Sequence, residues 1–426
     1  MSHLKYLTKI NILIFFLMDR KIQKSIIETK ANLKSLSDSK RSYIKAYSNI
    51  KRSVDLILDL KHNNIPIIPE INFQSIVNET ISIDQIKNIK DRGCVIIREV
   101  FDQALVKDWN EQITDYIINN DYFTKAKEKE GMDQYFSDLK SGAPQIFGLY
   151  WSKPQMLARQ SKSMAITKKF LNSMWDANSP NGKEFDSDND FIYADRIRRR
   201  VPGDKTLGLS PHIDGGSFER WTDPAFQKVY ESIFNGDVDS YNPWKAAFRT
   251  QTQEYNSPAV CSMFRTFQGW TALTKQGPSD GTLSLIPIAN CMSYLLLRAL
   301  QDDIADDSLC GATPGRPLLI SNEYHKELLD GLVSIPEVLP GDTVWWHPDI
   351  THSVADEHKG NEYSNVMFIG SSPQCPKNLR YAKRQSQHFL LGKSPPDFAA
   401  EDYEVDFKDR FSTDQLTSLG RNQMAL

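Results

Sequence analysis

His212-Ile213-Asp214, together with His352 far downstream in "GDTVWWHPDITHSV", are the residues of this chain most suited to chemistry. Side chains alternate along an extended strand, so positions 212 and 214 share one face. One imidazole and one carboxylate joined by a second imidazole make a 2-His-1-carboxylate facial triad. Such a triad fills three positions around an octahedral metal and leaves three open, as non-haem Fe(II) oxygenases require. A thiolate-rich site would select other metals, and a fourth protein ligand would block reaction at the metal.

An isolated HxD pair is a weak signal, because short motifs arise by chance. The distal segment strengthens it. Pro340-Gly341-Asp342 makes a turn and a buried strand follows, after which His347 and His352 stand five residues apart. Spacing does not choose between them. His352 is favoured because it opens the next apparent strand, Thr351-His352-Ser353-Val354. Gly215 and Gly216 follow the HxD pair and allow close approach to it. Asp195, Glu219 and Asp349 could orient ligand N–H groups, although in sequence they read as surface or turn residues.

These ligands need a scaffold. After Asp190 the chain is rich in strand-forming stretches such as "FIYADRIRRRV", "AVCSMFRTFQGWTALT", "GTLSLIPIA" and "YSNVMFIGSS", each edged by turn residues. Repeated strands without an alternating βαβ rhythm favour a mainly β fold with flanking helices, an antiparallel sandwich or jelly roll rather than a Rossmann fold. Upstream, apolar residues recur every three or four positions from Lys21 to Asn63, which predicts one long helix or a helical pair. The chain therefore divides into a tail and helical extension (1–65) and a jelly-roll domain with helical insertions (66–426). Asp91-Arg92-Gly93 forms a turn into a buried strand from Cys94 to Val100, and Asp102 caps the helix beyond it. Helices are expected at 292–302 and 322–329. Residues 120–160 and 217–257 read as loops that decide substrate choice, with Phe147, Tyr150 and Trp151 available to line a pocket.

With 426 residues the chain can bury a large core, and a net charge of -3 gives no global attraction to nucleic acid. The dense basic run Arg196 to Arg200 reads as a solvated strand end or an anion-binding corner. Five widely spaced cysteines support neither a disulfide framework nor a zinc ribbon, and fit a reducing cytoplasm. The apolar run Ile10 to Met18 is too short to span a bilayer and lacks a small-residue cleavage site. No membrane span is expected, and the oligomeric state is open.

At "DRGCVIIREVF", "SPHIDGGSFERW", "FRTFQGWTALT", "LSLIPI", "LPGDTVWWHPDITHSV" and "NEYSNVMFIGSSPQCPKN" the sequence resembles the YbiU-like family of Fe(II)/2-oxoglutarate-dependent dioxygenases, distantly similar to phytanoyl-CoA dioxygenases. The likeness runs from about residue 85 to 395. It implies a double-stranded β-helix core, Fe(II) held by His212, Asp214 and His352, 2-oxoglutarate as cosubstrate, O2 as oxidant, and hydroxylation of a small molecule with release of succinate and CO2. Many relatives place an arginine about ten residues after the distal histidine, with a serine two further on. Glu362 stands there instead, although Ser364 keeps the serine position. The cation for the cosubstrate tail must come from another strand, Arg265 first and Arg198 second, with Ser364 and Asn365 adding hydrogen bonds. Trp270, Phe267 and Gln268 could frame the pocket, and of Trp345 and Trp346 at most one faces it. Two other functions fit the same motifs: a non-catalytic jelly-roll binding protein, and a hydrolase using the triad to activate water.

Overall fold

β-Branched and aromatic runs supply twelve strands in two sheets, seen in a computed structural model that describes residues 20–128, 145–204, 209–253 and 261–426. In chain order they are β1 (Glu70–Asn72), β2 (Cys94–Arg98), β3 (Ile146–Phe147), β4 (Ile197–Arg200), β5 (His212–Ile213) and β6 (Gln268–Ala272). The second half comprises β7 (Leu283–Leu285), β8 (Leu318–Leu319), β9 (Val333–Ser334), β10 (Thr343–Trp346), β11 (His352–Val354) and β12 (Ser364–Phe368). The large sheet runs β1-β2-β10-β6-β12-β4-β3 and the small sheet β8-β5-β11-β7-β9. Only β1 and β2 pair in parallel within these sheets.

The period-two rule sorts the large sheet's side chains into two cores. Val95, Ile97, Trp345, Ile197 and Met367 point into one apolar cluster with the helix Gln103–Asn119. Ile96, Val344, Trp346, Trp270 and Val366 point the other way, into a cluster shared with Ile213, Leu283 and Leu285 of the small sheet. Trp345 and Trp346 thus face opposite sides, as their adjacency requires.

Helices make up much of the chain, including Ser39–His62, Gln103–Asn119, Lys162–Ser173 and Pro376–Leu391. The expectation of a mainly β chain is corrected to a mixed α/β fold with several sheets, and no barrel closes among the described strands. The apolar spacing of 21–63 resolves as a pair of helices, residues 20–36 and Ser39–His62. Asp38 separates them and accepts a hydrogen bond from the Arg41 backbone N–H at 3.0 Å, an N-cap. Ile26, Leu33, Ala46, Ile50, Val54 and Ile57 enter the small sheet's cluster, so the pair is core rather than appendage. The expected helices at 292–302 and 322–329 appear as Met292–Arg298 and Asn322–Leu329, and Asp102 caps its helix through the Leu105 N–H.

Two loop expectations are corrected. Within 120–160 lie the helices Tyr122–Glu128 and Lys153–Arg159, and Phe147, Tyr150 and Trp151 are buried in apolar clusters away from the central cavity. Residues 129–144 lie outside the described residues, as do the apolar run at 10–18 and positions 254–260. The stretch from 217 onward contains short helices and buries Trp221, Tyr230, Ile233, Phe234, Tyr241 and Trp244. Its charged residues hid this, because two of them, Arg220 and Arg249, are buried against Asp349, distant in sequence. No described helix is long and apolar enough to cross a membrane.

The C-terminal segment is tied down by Glu404. Its carboxylate accepts from the Tyr150 and Trp151 backbone N–H groups at 2.6 and 2.9 Å and from Tyr116 Oη at 2.9 Å. Burial nevertheless outweighs these bonds and pushes the carboxyl up to about 7. A carboxyl raised on folding favours the native state below its unfolded value, and that advantage is lost as pH rises through 7. Thermal melts should therefore show stability falling from pH 5 to pH 8 by up to about 3 kcal/mol from this group. Glu404→Gln should flatten the slope; an unchanged slope would remove Glu404 as its source.

Candidate metal centre

His212 and His352 are cross-strand partners on the adjacent strands β5 and β11. Their ring centroids lie 4.3 Å apart. Asp214, one step beyond β5, brings Oδ1 to 3.4 Å from His212 Nε2 and Oδ2 to 3.6 Å from His352 Nε2. The three donor atoms all lie within 4.8 Å of one another.

The backbone settles which nitrogens face the cluster. His212 Nδ1 lies 2.6 Å from the Ser210 carbonyl, and His352 Nδ1 lies 3.2 Å from that of Ile350. A carbonyl only accepts, so each Nδ1 carries a proton and each Nε2 faces the cluster, where it meets the Asp214 carboxylate and can give up its own proton to become a metal ligand. Burial pushes the Asp214 carboxyl up, but hydrogen bonds and charge from His212 and His352 more than offset it and hold the group well below the ordinary carboxylate range. His212 is raised: its hydrogen bond and attraction to Asp214 exceed the opposing effect of burial. His352 is lowered by burial and by His212 beside it. Two imidazoles and an ionised carboxylate on converging vectors suit a divalent first-row ion such as Fe(II).

A second layer fixes the carboxylate. Gln268 Nε2 donates to Asp214 Oδ2 at 2.8 Å, and Trp346 Nε1 donates to Gln268 Oε1. Gly215 and Gly216 adopt φ of +89° and +95°, a left-handed turn suited to glycine. The turn lets Arg220 reach back to the Asp214 carbonyl at 2.8 Å and the Gly216 carbonyl at 3.0 Å. Arg220 in turn pairs with Asp349 Oδ1 at 2.8 Å, and Arg249 takes Oδ2 at 2.8 Å. Asp349 does lie in a turn, but it is a buried anchor rather than a surface residue. Glu219 is buried too, accepting from the Ser217 and Gly315 N–H groups. Asp195 borders the cavity and bonds Arg196. Gln268→Leu should weaken Fe(II) binding roughly 10- to 100-fold, the usual cost of removing a group that orients a ligand. A titration giving wild-type affinity would deny Gln268 that role.

His347 is placed elsewhere. It is fully buried, with Nε2 3.0 Å from the Pro243 carbonyl and Nδ1 accepting from the Asp349 N–H at 3.0 Å. Its ring stacks on Trp175 at 4.6 Å, and burial pushes it down to about 3. Both nitrogens are committed to backbone, which leaves none for a metal.

A cavity of about 140 Å³ opens between the sheets beside the cluster, and Arg198, Arg265, Gln268, Trp270 and Trp346 line it. Arg198 is 6 % exposed, and its one hydrogen bond to a described residue is to the Gly281 carbonyl at 2.9 Å. Burial, then the neighbouring Arg200, pushes it down to about 9. Ser364 sits behind the wall, donating to Gln276 Oε1 at 2.7 Å, and Gln276 faces the cavity. Asn365 takes the opposite face of β12, where it bonds Asn110 at 2.9 Å, so it does not reach the cavity. Phe267 also belongs to the outer cluster. The basic run at 196–200 is no solvated strand end: Arg196 and Arg198 line the cavity and Arg200 is fully buried. Alternation along an interior strand was the signal that could have identified them.

Comparison with known proteins gives concordant relatives across nearly the whole chain. The uncharacterized protein YbiU of Escherichia coli K12 is 39% identical over 393 residues, covering 92% of this chain and 93% of YbiU. A Salmonella typhimurium LT2 protein, which its name assigns provisionally to the oxidoreductases, superposes with a TM-score of 0.91 at 40% identity, covering 95% of this chain and 97% of its own. The product of GlcNAc Inducible Gene 2 of Candida albicans superposes at 0.75 with 26% identity, covering 94% and 88%. The Gig2-like family model spans residues 20–426, and on that match, with YbiU beside it, this chain belongs to the Gig2-like family.

Proposed function

We propose that this protein is an Fe(II)/2-oxoglutarate-dependent dioxygenase that hydroxylates a small molecule. The observation that carries the reading is the convergence of two imidazole Nε2 atoms and a carboxylate on a cavity that also holds a buried arginine with no carboxylate partner among the described residues. His212, Asp214 and His352 would hold Fe(II), which when bound supplies O2 activation coupled to conversion of 2-oxoglutarate into succinate and CO2. Arg198 is the residue for the distal carboxylate, in preference to Arg265. In the antiparallel register Arg198 lies opposite Val366 and Arg200 opposite Ser364. The cation absent at Glu362 is thereby supplied from the strand next door. Ser364 acts at one remove, by orienting Gln276. Trp346, Val354, Val366 and Phe368 give the cavity apolar walls that exclude bulk water from the reacting groups.

The strand order supports a jelly-roll reading of the core. From β4 to β7 successive strands alternate between the large and small sheets, and they do so again from β9 to β12. The name of the Salmonella relative points toward oxidoreductase chemistry. All five cysteines are free, the state a reducing cytoplasm maintains.

Anaerobic titration with Fe(II) and then 2-oxoglutarate tests the assignment. A visible charge-transfer band should appear on chelation, and admitting O2 should release succinate. Failure of both, with hydrolysis supported by Zn(II) in the absence of O2, would replace the oxygenase by a metallohydrolase.

A further inference from the structure

Arg265, only partly buried, stands apart from the buried cations. Arg220 and Arg249 are committed to Asp349, and Arg200 lies 3.7 Å from Asp204. Arg265 has no hydrogen bond or ion pair to any described residue; its guanidinium lies over the Tyr193 ring, 5.3 Å from the centroid. Gly370 makes room for its stem, since a Cβ there would stand 3.1 Å from Arg265 Cδ. The guanidinium borders two cavities at once. One is the cavity assigned above to the cosubstrate. The other, about 80 Å³, lies against Asp214, Gln268 and the arginines of the Asp349 cluster, with Met263, Phe264 and Phe226 as apolar lining.

Among the described residues lining both cavities, six cationic side chains face three carboxylates, Asp195, Asp214 and Asp349. Asp349 is shared by two of the cations, Arg220 and Arg249, and a divalent ion would take up the charge of Asp214. A doubly charged cosubstrate leaves the site still positive. Arg265 is partly buried and feels Asp214 and Asp195 only through space, so a ligand that brings an anion to its guanidinium adds the direct charge-assisted contact it lacks among the described residues.

We propose that the second cavity binds the primary substrate, and that this substrate is a small molecule bearing a carboxylate or phosphate held by Arg265, with its apolar part against Phe264 and Met263. The proposal rests on the dioxygenase reading for the identity of the first cavity. It gives the two arginines separate tasks, Arg198 for the cosubstrate and Arg265 for the substrate anion.

The test uses full-length protein loaded anaerobically with Fe(II) and saturating 2-oxoglutarate, and probes it with benzoate and its neutral isostere benzamide. The charge-transfer band reports loading independently of either probe, so absence of the band indicts the dioxygenase reading and not this one. With the band present, calorimetry should show benzoate binding at least ten-fold tighter than benzamide. Phenyl phosphate should share that preference if phosphate is accepted alongside carboxylate. Arg265→Gln should erase it, and Arg265→Lys should restore part of it. Equal affinity for benzoate and benzamide in the wild type would overturn the proposal without recourse to any variant. So would an Arg265→Gln protein that retains the benzoate preference, or one whose main defect is in 2-oxoglutarate affinity.

Discussion

Asp214→Ala should abolish the Fe(II)–2-oxoglutarate charge-transfer band and reduce Fe(II)-dependent succinate release by at least about a hundred-fold, the upper end of what losing a mere orienting group costs. The carboxylate lies 3.4 and 3.6 Å from the two imidazoles and is the only anion of the cluster. Without it two neutral nitrogens confront a dication in a buried space. His352→Ala should act similarly. His347→Ala supplies the control, because its nitrogens serve the Pro243 carbonyl and the Asp349 N–H. That variant should lose about 2–4 kcal/mol of stability through the vacated stack on Trp175 and the orphaned backbone groups. Its band should persist in the protein that remains folded. A band lost in His347→Ala and kept in His352→Ala would reverse the assignment.

The contrast between these histidines shows what the sequence could reveal. His212 and Asp214 share a face through local strand geometry, and a period of two is readable from neighbouring residues. The preference for His352 over His347 came from the start of β11, also a local feature. The anchors behind the site were not legible in this way. Asp349 meets Arg220 and Arg249 from sequence separations of 129 and 100 residues, and nothing near position 349 announces them. Charge density therefore disguised 217–253 as a surface loop when it is a buried brace. Gln268 read as a wall residue, whereas its amide is the link between Trp346 and the Asp214 carboxylate. Strand phase could place Gln268 on the inner face of β6, but only the crossing of two sheets brings it to Asp214.

Arg198 follows the same logic and leads to the second large effect. In sequence it is one member of a basic run; in the fold, alternation turns it inward while Arg199 lies over the Tyr363 ring. Its depressed pKa, about 9, arises from burial first and Arg200 second, the condition of a guanidinium awaiting an anion. Arg198→Ala should raise the KM for 2-oxoglutarate about 100-fold, near the 1.5–3 kcal/mol expected for a charge-assisted contact. The kcat at saturation should change far less, because the tail contact is the same before and during reaction. Fe(II) affinity in the absence of cosubstrate should be unaltered. Deleting a buried charge that repels Arg200 should also spare the cosubstrate-free protein, so its Tm is expected to fall by no more than the lost bond to Gly281 dictates. Were KM unchanged while Arg265→Gln raised it instead, the two arginines would exchange roles, and the cosubstrate would lie nearer Asp214 than the register of β4 and β12 indicates.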